Sequence, residues 1–292
     1  MKSLMERDGI FHKKGGGFQK VNSYVGIRPL VGYDTNINSG IPAEEFVLGD
    51  FTFRTNEEDQ AKEGFTVGAL VMGSVHYSVA PAHVLKLSAH ASVEYAPEHD
   101  LSKFAVAGSS CLSSHVKSYT WLDSCAGFRV AEKENASVEE PFLSFGGSQA
   151  FATDLGHHEA VWNAKRTFRS DYSKNYFDLG LRSAIPDVGA LYTGITWGEE
   201  VDGFHTTLGG ASVALTRPIM DRKTTISASY VKSGGGTHFG LPRSDDGYTV
   251  KVRSQVHENL AVSLGYTWNN SNIDMYNDES VIFGVDLQSW RF

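Results

Sequence analysis

The feature that most constrains this chain is a strict two-residue period over residues 65–79. Phe65, Val67, Ala69, Val71, Val75, Tyr77 and Val79 keep one parity, and Thr66, Gly68, Ser74, His76 and Ser78 keep the other. Successive side chains of an extended backbone point to opposite faces, so this stretch has to be a strand with one apolar and one polar face. After the short turn around Pro81 the pattern resumes. Leu85, Leu87, Ala89, Ala91, Val93 and Tyr95 alternate with Lys86, Ser88, His90, Ser92 and Glu94, which makes the two segments an antiparallel hairpin.

The same alternation recurs along the chain. Strands are expected at 24–38, 104–113, 117–130, 142–154, 159–171, 174–185, 188–199, 206–216, 223–232, 246–256, 259–269 and 280–292, which with the first two makes about fourteen. Their connections alternate in length. Short turns are expected at 80–83, 114–116, 155–158, 186–187 and 257–258, and longer polar loops at 39–64, 132–141, 233–245 and 270–279. An even number of strands with short turns at one end and long loops at the other points to an all-β fold, a transmembrane antiparallel up-and-down β-barrel. Both termini then lie on the periplasmic side of the bacterial outer membrane, and the lipid bilayer is the first partner. Residues 1–20 read as an amino-terminal periplasmic segment or linker remnant and 21–292 as the barrel. With no apolar h-region at its start, the chain reads as a mature or trimmed form.

Composition removes competing classes. No run approaches eighteen apolar residues, so no helix is expected to span a membrane, and a mean hydropathy of −0.25 suits a barrel with a wet interior. A net charge of −8 argues against nucleic acid as a partner. A soluble all-β protein uses the same alternation, with one face solvated, and remains the competing fold. Aromatic positions favour the barrel. Tyr33, Phe65, Tyr95, Trp197, Tyr248, Tyr266 and Trp268 are expected near the outer strand ends, with Tyr77, Tyr230, Trp290 and Phe292 near the inner ones.

The last strand carries Val281, Phe283, Val285 and Leu287 on one parity, yet Trp290 and Phe292 on the other. A one-residue phase break near Gln288 or Ser289 calls for a bulge. A carboxy-terminal aromatic on such a strand resembles the sorting signal of outer-membrane barrels, which makes Trp290 and Phe292 the expected assembly signal and the barrel-assembly machinery an expected partner.

The first strand ends in Val31-Gly32-Tyr33-Asp34-Thr35-Asn36-Ile37-Asn38. This segment resembles the strand end that opens the barrel of the surface lipoprotein assembly modifiers, the Slam family. The resemblance implies a fourteen-stranded translocon that exports surface lipoproteins or related secreted proteins, with such a cargo protein as partner. The alternative is a porin or an exopolysaccharide-export channel. Independently of any family, Asp34, Asn36 and Asn38 are short polar side chains at alternate positions, suited to bonding loop backbone and anchoring the first loop over the pore.

Lys86, His90, Glu94, Asp178, Arg182, Lys251, Arg253, Gln255 and Asp286 fall on polar parities and are the expected lumen-lining set. Cys111 and Cys125 flank one short turn on neighbouring strands, so a disulfide is expected, with a register that could miss by a residue or two. His157 and His158 beside Glu159 are expected in a turn, where neighbouring side chains point apart and do not share a metal. With no nucleophile elbow or oxyanion-hole signature, neither catalysis nor a metal or cofactor is expected.

Overall fold

The computed structural model describes residues 17–48, 50–133, 136–238, 240–287 and 290–291. In chain order the strands are β1 (Gln19–Asp34), β2 (Glu45–Leu48), β3 (Phe51–Arg54), β4 (Gly64–Ala80), β5 (His83–Ala96), β6 (Leu101–Lys117), β7 (Thr120–Lys133) and β8 (Ala136–Thr153). They continue as β9 (Gly156–Phe168), β10 (Ser173–Ile185), β11 (Gly189–Gly198), β12 (Thr206–Ile219), β13 (Arg222–His238), β14 (Leu241–His257), β15 (Leu260–Ser271), β16 (Asp278–Leu287) and β17 (Trp290–Arg291). A 3₁₀ turn, η1 (Asp274–Tyr276), lies between β15 and β16.

β1 and β4 to β16 pair each with its neighbour, antiparallel throughout, and β16 returns to pair with β1. The sheet is closed and has fourteen strands, as the alternation implies. β2 and β3 form a separate hairpin inside the first outer connection.

The pairings carry one facing around the whole cylinder. Val31 opposes Val67, Val67 opposes Tyr95, Val93 opposes Phe104, Phe145 opposes Ala164, and Leu264 opposes Phe283, so the apolar parities of successive strands meet on one side. That side is uncovered: Phe65 is 53% exposed, Val93 51% and Leu264 58%. A soluble sandwich would bury these side chains under a second sheet. Here they form a belt around the outside, far beyond the apolar patch a water-soluble monomer tolerates, and hydrocarbon is the medium that satisfies it.

Aromatic pairs mark the outer rim of the belt: Tyr33 with Phe65, Phe177 with Trp197, and Tyr248 stacked on Trp268. Tyr230 belongs to this group, not to the inner one. It sits directly opposite Tyr248 because β13 runs on to His238, which raises residue 230 relative to the shorter strand expected.

At the other end the hairpins close tightly. Ser118 and Tyr119 have φ of 40° and 65°, and Met220 and Asp221 have 51° and 59°, the left-handed pair that matches two-residue turns to strand twist. β1 begins and β16 ends at this end, which by the turn-length rule is the periplasmic one.

Two expected loops are strands. Residues 132–141 and 233–245, read as long polar loops, lie largely in β7, β8, β13 and β14. Polarity was the misleading signal, since a ladder that rises above the membrane keeps its hydrogen bonds while both faces meet water. His157 and His158 likewise open β9 and do not form a turn. His158 bonds Thr153 and Ser183 through its two ring nitrogens, each at 2.8 Å.

Among the described residues the closing seam has the shortest register. Residues 30–34 pair with 282–286, and 26–27 with 290–291. Leu30 faces Asp286 and Ile27 faces Trp290, three steps on β1 against four on the last strand, so the last strand carries one extra residue across this interval. The expected bulge positions, Gln288 and Ser289, and the terminal Phe292 lie outside the described residues, as do residues 1–16. Pro29, which has no N–H to donate, lies between the two described stretches of the seam.

Candidate functional site: the lumen

The polar parities that face away from the lipid belt line the interior. Every residue of the expected set falls on this side, because each pairs directly or through its neighbours with the opposite parity to the exposed apolar one. The wall between the charges is made of small hydroxyl residues. Ser74, Ser88, Ser109, Ser144, Ser212 and Ser229 are examples, and Ser88 and Ser109 bond each other across β5 and β6 at 2.8 Å.

The charges are matched along the wall, between adjacent strands or across one intervening strand. Asp286 accepts from Arg253 Nε at 2.7 Å and lies 3.7 Å from Arg28 Nη1. Arg182 Nη1 donates to Glu159 at 3.0 Å. Lys86 Nζ donates to Ser113 at 3.1 Å and lies 3.9 Å from Asp123. Asp178 accepts from Thr196 Oγ1 at 2.7 Å and from Asn163 at 3.4 Å. All are partly exposed, so each pair adds only about 0–1 kcal/mol to stability. Their main effect is on the potential inside the barrel. His90, Glu94 and Lys251 share the same face.

Arg28, Asp123 and Glu159 were absent from the expected set. Parity alone would have found all three: Arg28 alternates with the apolar residues of β1, Asp123 has the parity of Cys125, and Glu159 faces Arg182.

A polar cavity of about 670 Å³ occupies the lumen beside β4 to β10, bordered by His76, Lys86, Asp123, Glu159, Asn163 and Arg182. Cys111 and Cys125 stand directly opposite each other on the inward face of β6 and β7, with Cα atoms 4.1 Å apart and the sulfurs joined. The turn is off-centre because Val116 is an extra residue: His115 faces Trp121 while Lys117 faces Thr120. That bulge absorbs the offset and brings the cysteines into register.

Over the outer mouth the first loop is held by the strand-end polar residues. Asn36 exchanges bonds with Gly40, its amide donating to the carbonyl at 3.2 Å and its side-chain oxygen accepting from the N–H at 2.8 Å. Asn38 donates to Gln60 O at 2.7 Å and accepts from Lys62 N at 2.9 Å. Asp34 accepts from Asn36 N at 2.9 Å. Ile37, Ala96 and Leu101 form a small buried cluster beneath.

Near the first loop across the seam, Arg243 donates twice to Asp245, whose carboxylate also meets His205 Nε2 at 3.2 Å. The Arg243 guanidinium lies 3.4 Å over the Tyr276 ring, and the Tyr276 hydroxyl bonds His238. This ties the 199–205 loop and η1 to the β13–β14 hairpin. Burial lowers the pKa of His205, and the nearby Arg243 charge lowers it further, against an opposing pull from Asp245.

An apolar outer belt, an aromatic outer rim and a charged, hydroxyl-rich interior together make one kind of object. The chain is an outer-membrane β-barrel with a polar lumen. No family model matches its sequence, and no curated protein matches it. Among solved structures it is similar to the outer membrane protein opdK from Pseudomonas aeruginosa, at 9% identity and a TM-score of 0.49 over 94% of this chain and 100% of that one. It is also similar to OccAB3 from Acinetobacter baumannii, at 7% identity and a TM-score of 0.47 over 93% of this chain and 100% of that one.

Proposed function

We propose that this barrel is a porin-type channel that lets small polar solutes diffuse across the outer membrane. The observation that carries the reading is the lumen wall, in which small hydroxyl side chains separate charges, several of them paired with wall neighbours. Such a surface solvates a passing polar molecule without holding it. Size supports it too. Eight strands give an interior that side chains just fill, and sixteen to eighteen leave an aqueous channel; fourteen stand close to the second case.

A conduit for polypeptides, the reading implied by the Slam resemblance, has one observation in its favour: the short register between β1 and the last strands among the described residues. The two readings separate in one experiment. Val31 and Val285 are direct partners across the seam, and V31C with V285C would lock it when oxidised. For a diffusion channel, proteoliposomes swell in small sugars and amino acids equally fast with the seam locked or reduced. Swelling no faster than in protein-free vesicles overturns the proposal. Loss of surface display of a cargo protein on locking would support the conduit.

A further inference from the structure

Towards the periplasmic end of the lumen, the ring of Tyr192 is laid along the wall. Gly180 on β10 and Gly194 on β11 are direct partners on the inward face, and Tyr192 lies two residues before Gly194 on that same face. A Cβ at Gly194 would stand 2.5 Å from the Tyr192 hydroxyl and 3.0 Å from its Cζ, and one at Gly180 would stand 3.2 Å from its Cε2. The ring therefore leans along its strand and rests on bare backbone, a bed that a pair of glycines leaves open. One side of it covers the wall, and with Tyr192 37% exposed the other side meets the lumen.

Next to the ring lies a cavity of about 650 Å³, distinct from the one beside Asp123, the two meeting at the Arg182–Glu159 pair. Its floor is small and apolar, made of Ala184, Ala190 and Ala214, all of inward parity. The polar groups of His157, Glu159 and Arg182 border that floor. Arg182 donates to Glu159 at 3.0 Å while its side chain stays 61% exposed, so N–H donors are left for a solute although the pair has no net charge. Small-molecule sites enclose about 300–1,000 Å³ and combine an apolar surface with a few convergent polar groups, as this cavity does.

Chemistry selects the occupant. A carboxylate entering here meets Glu159 as well as Arg182, and a cation meets Arg182 as well as Glu159, so neither sign gains from the pair. A hydroxyl both donates and accepts, and a ring of hydroxyls uses both members at once. The C–H face of a pyranose is slightly positive and complements the negative π face of Tyr192.

We infer that this cavity is a subsite for a neutral pyranose sugar, with its C–H face on Tyr192 and its hydroxyls shared among Arg182, Glu159 and His157. The inference deepens the channel reading and rests on it only in that small solutes enter the lumen.

The test uses the full barrel in detergent micelles with methyl glucoside, read by saturation-transfer NMR, which detects weak binding whether or not the barrel conducts. Saturable transfer to the sugar's C–H protons is expected, undiminished by an equal concentration of benzoate. Two variants locate it. Y192A removes the ring and is expected to weaken binding roughly threefold to tenfold, with Y192F near the parent value. A214F fills the floor, leaves Tyr192 in place and is expected to abolish transfer; the heat-modifiable gel shift confirms that each variant is folded. A ring that only shields the glycine backbone predicts no transfer in the parent, or equal transfer in all folded variants, and either result overturns the inference. So does full displacement of the sugar by benzoate, because the occupant is then an aromatic acid. Conductance of the same preparation keeps the two readings apart: a conducting barrel without transfer loses the subsite alone, and a non-conducting barrel whose transfer A214F abolishes loses the channel alone.

Discussion

Asp286 offers the sharpest perturbation of the lumen. Its carboxylate holds Arg253 at 2.7 Å and lies 3.7 Å from Arg28. Asp286→Asn keeps the shape and an acceptor oxygen but raises the wall charge by one unit. The stability cost is small, about 0.2–1 kcal/mol for such exposed pairs, so the barrel still folds. The electrostatic effect is larger than thermal noise. One unit charge acting on an ion ~7 Å away through water contributes about 0.6 kcal/mol, or roughly threefold in anion partition at low salt. Screening shrinks it once the Debye length falls to about 3 Å near 1 M salt. The assay is the reversal potential of the reconstituted channel in a salt gradient. Asp286→Asn is expected to shift the anion-to-cation permeability ratio upward by up to about sevenfold at low salt, anions gaining and cations losing roughly 2.7-fold each, with Asp286→Glu near the parent value. An unchanged ratio at low salt would show that ions do not pass this wall, and the reasoning would fail.

Other consequences follow from local geometry. A Cβ at Gly68 would stand 2.1 Å from Val93 O, between paired backbones that cannot part, so Gly68→Val should sharply lower the temperature at which the folded gel band converts to the unfolded one. Removing the Cys111–Cys125 link, which closes a 14-residue separation, should cost about 3 kcal/mol in the loop-entropy view; the denatured, unreduced parent should show no reactive thiol. Asn38→Ala deletes three side-chain bonds of the first loop, to Gln60 O, Lys62 N and Gly40 N, worth about 1 kcal/mol each, and should speed proteolysis within residues 39–63 without moving the barrel's melting point. His205 titrates below its ordinary value in the folded state, so the unfolded chain binds the proton more readily: the 199–205 loop is most stable above about pH 6.5 and loses stability as pH falls through that value. Hydrogen exchange there should quicken on acidification, and His205→Gln should flatten the dependence.

Strand positions and facing were legible because period two survives wherever one side meets lipid, as in Phe65–Tyr77 and Leu85–Tyr95. The legibility stopped where lipid stops. Above the membrane β7–β8 and β13–β14 run on as polar ladders, and sequence polarity there cannot tell a ladder from a loop. Register was visible only in part: nothing in residues 111–125 announces that Val116 bulges and so aligns the two cysteines. Parity groups the expected lumen residues on one face of the sheet, but the pairing of Asp286 with both Arg28 and Arg253 depends on how strand stagger brings side chains of β14, β16 and β1 level. The tie among His205, Arg243, Asp245 and Tyr276 joins three separate segments, and no local pattern in any of them signals it.

Single-channel recording in a planar bilayer tests the central claim most directly. A closed fourteen-stranded barrel whose lumen admits small polar solutes predicts a discrete, long-lived conductance step on insertion, proportional to bulk salt conductivity at high salt. Insertion of folded, heat-modifiable protein with no conductance, or with only brief flickers, would contradict the account.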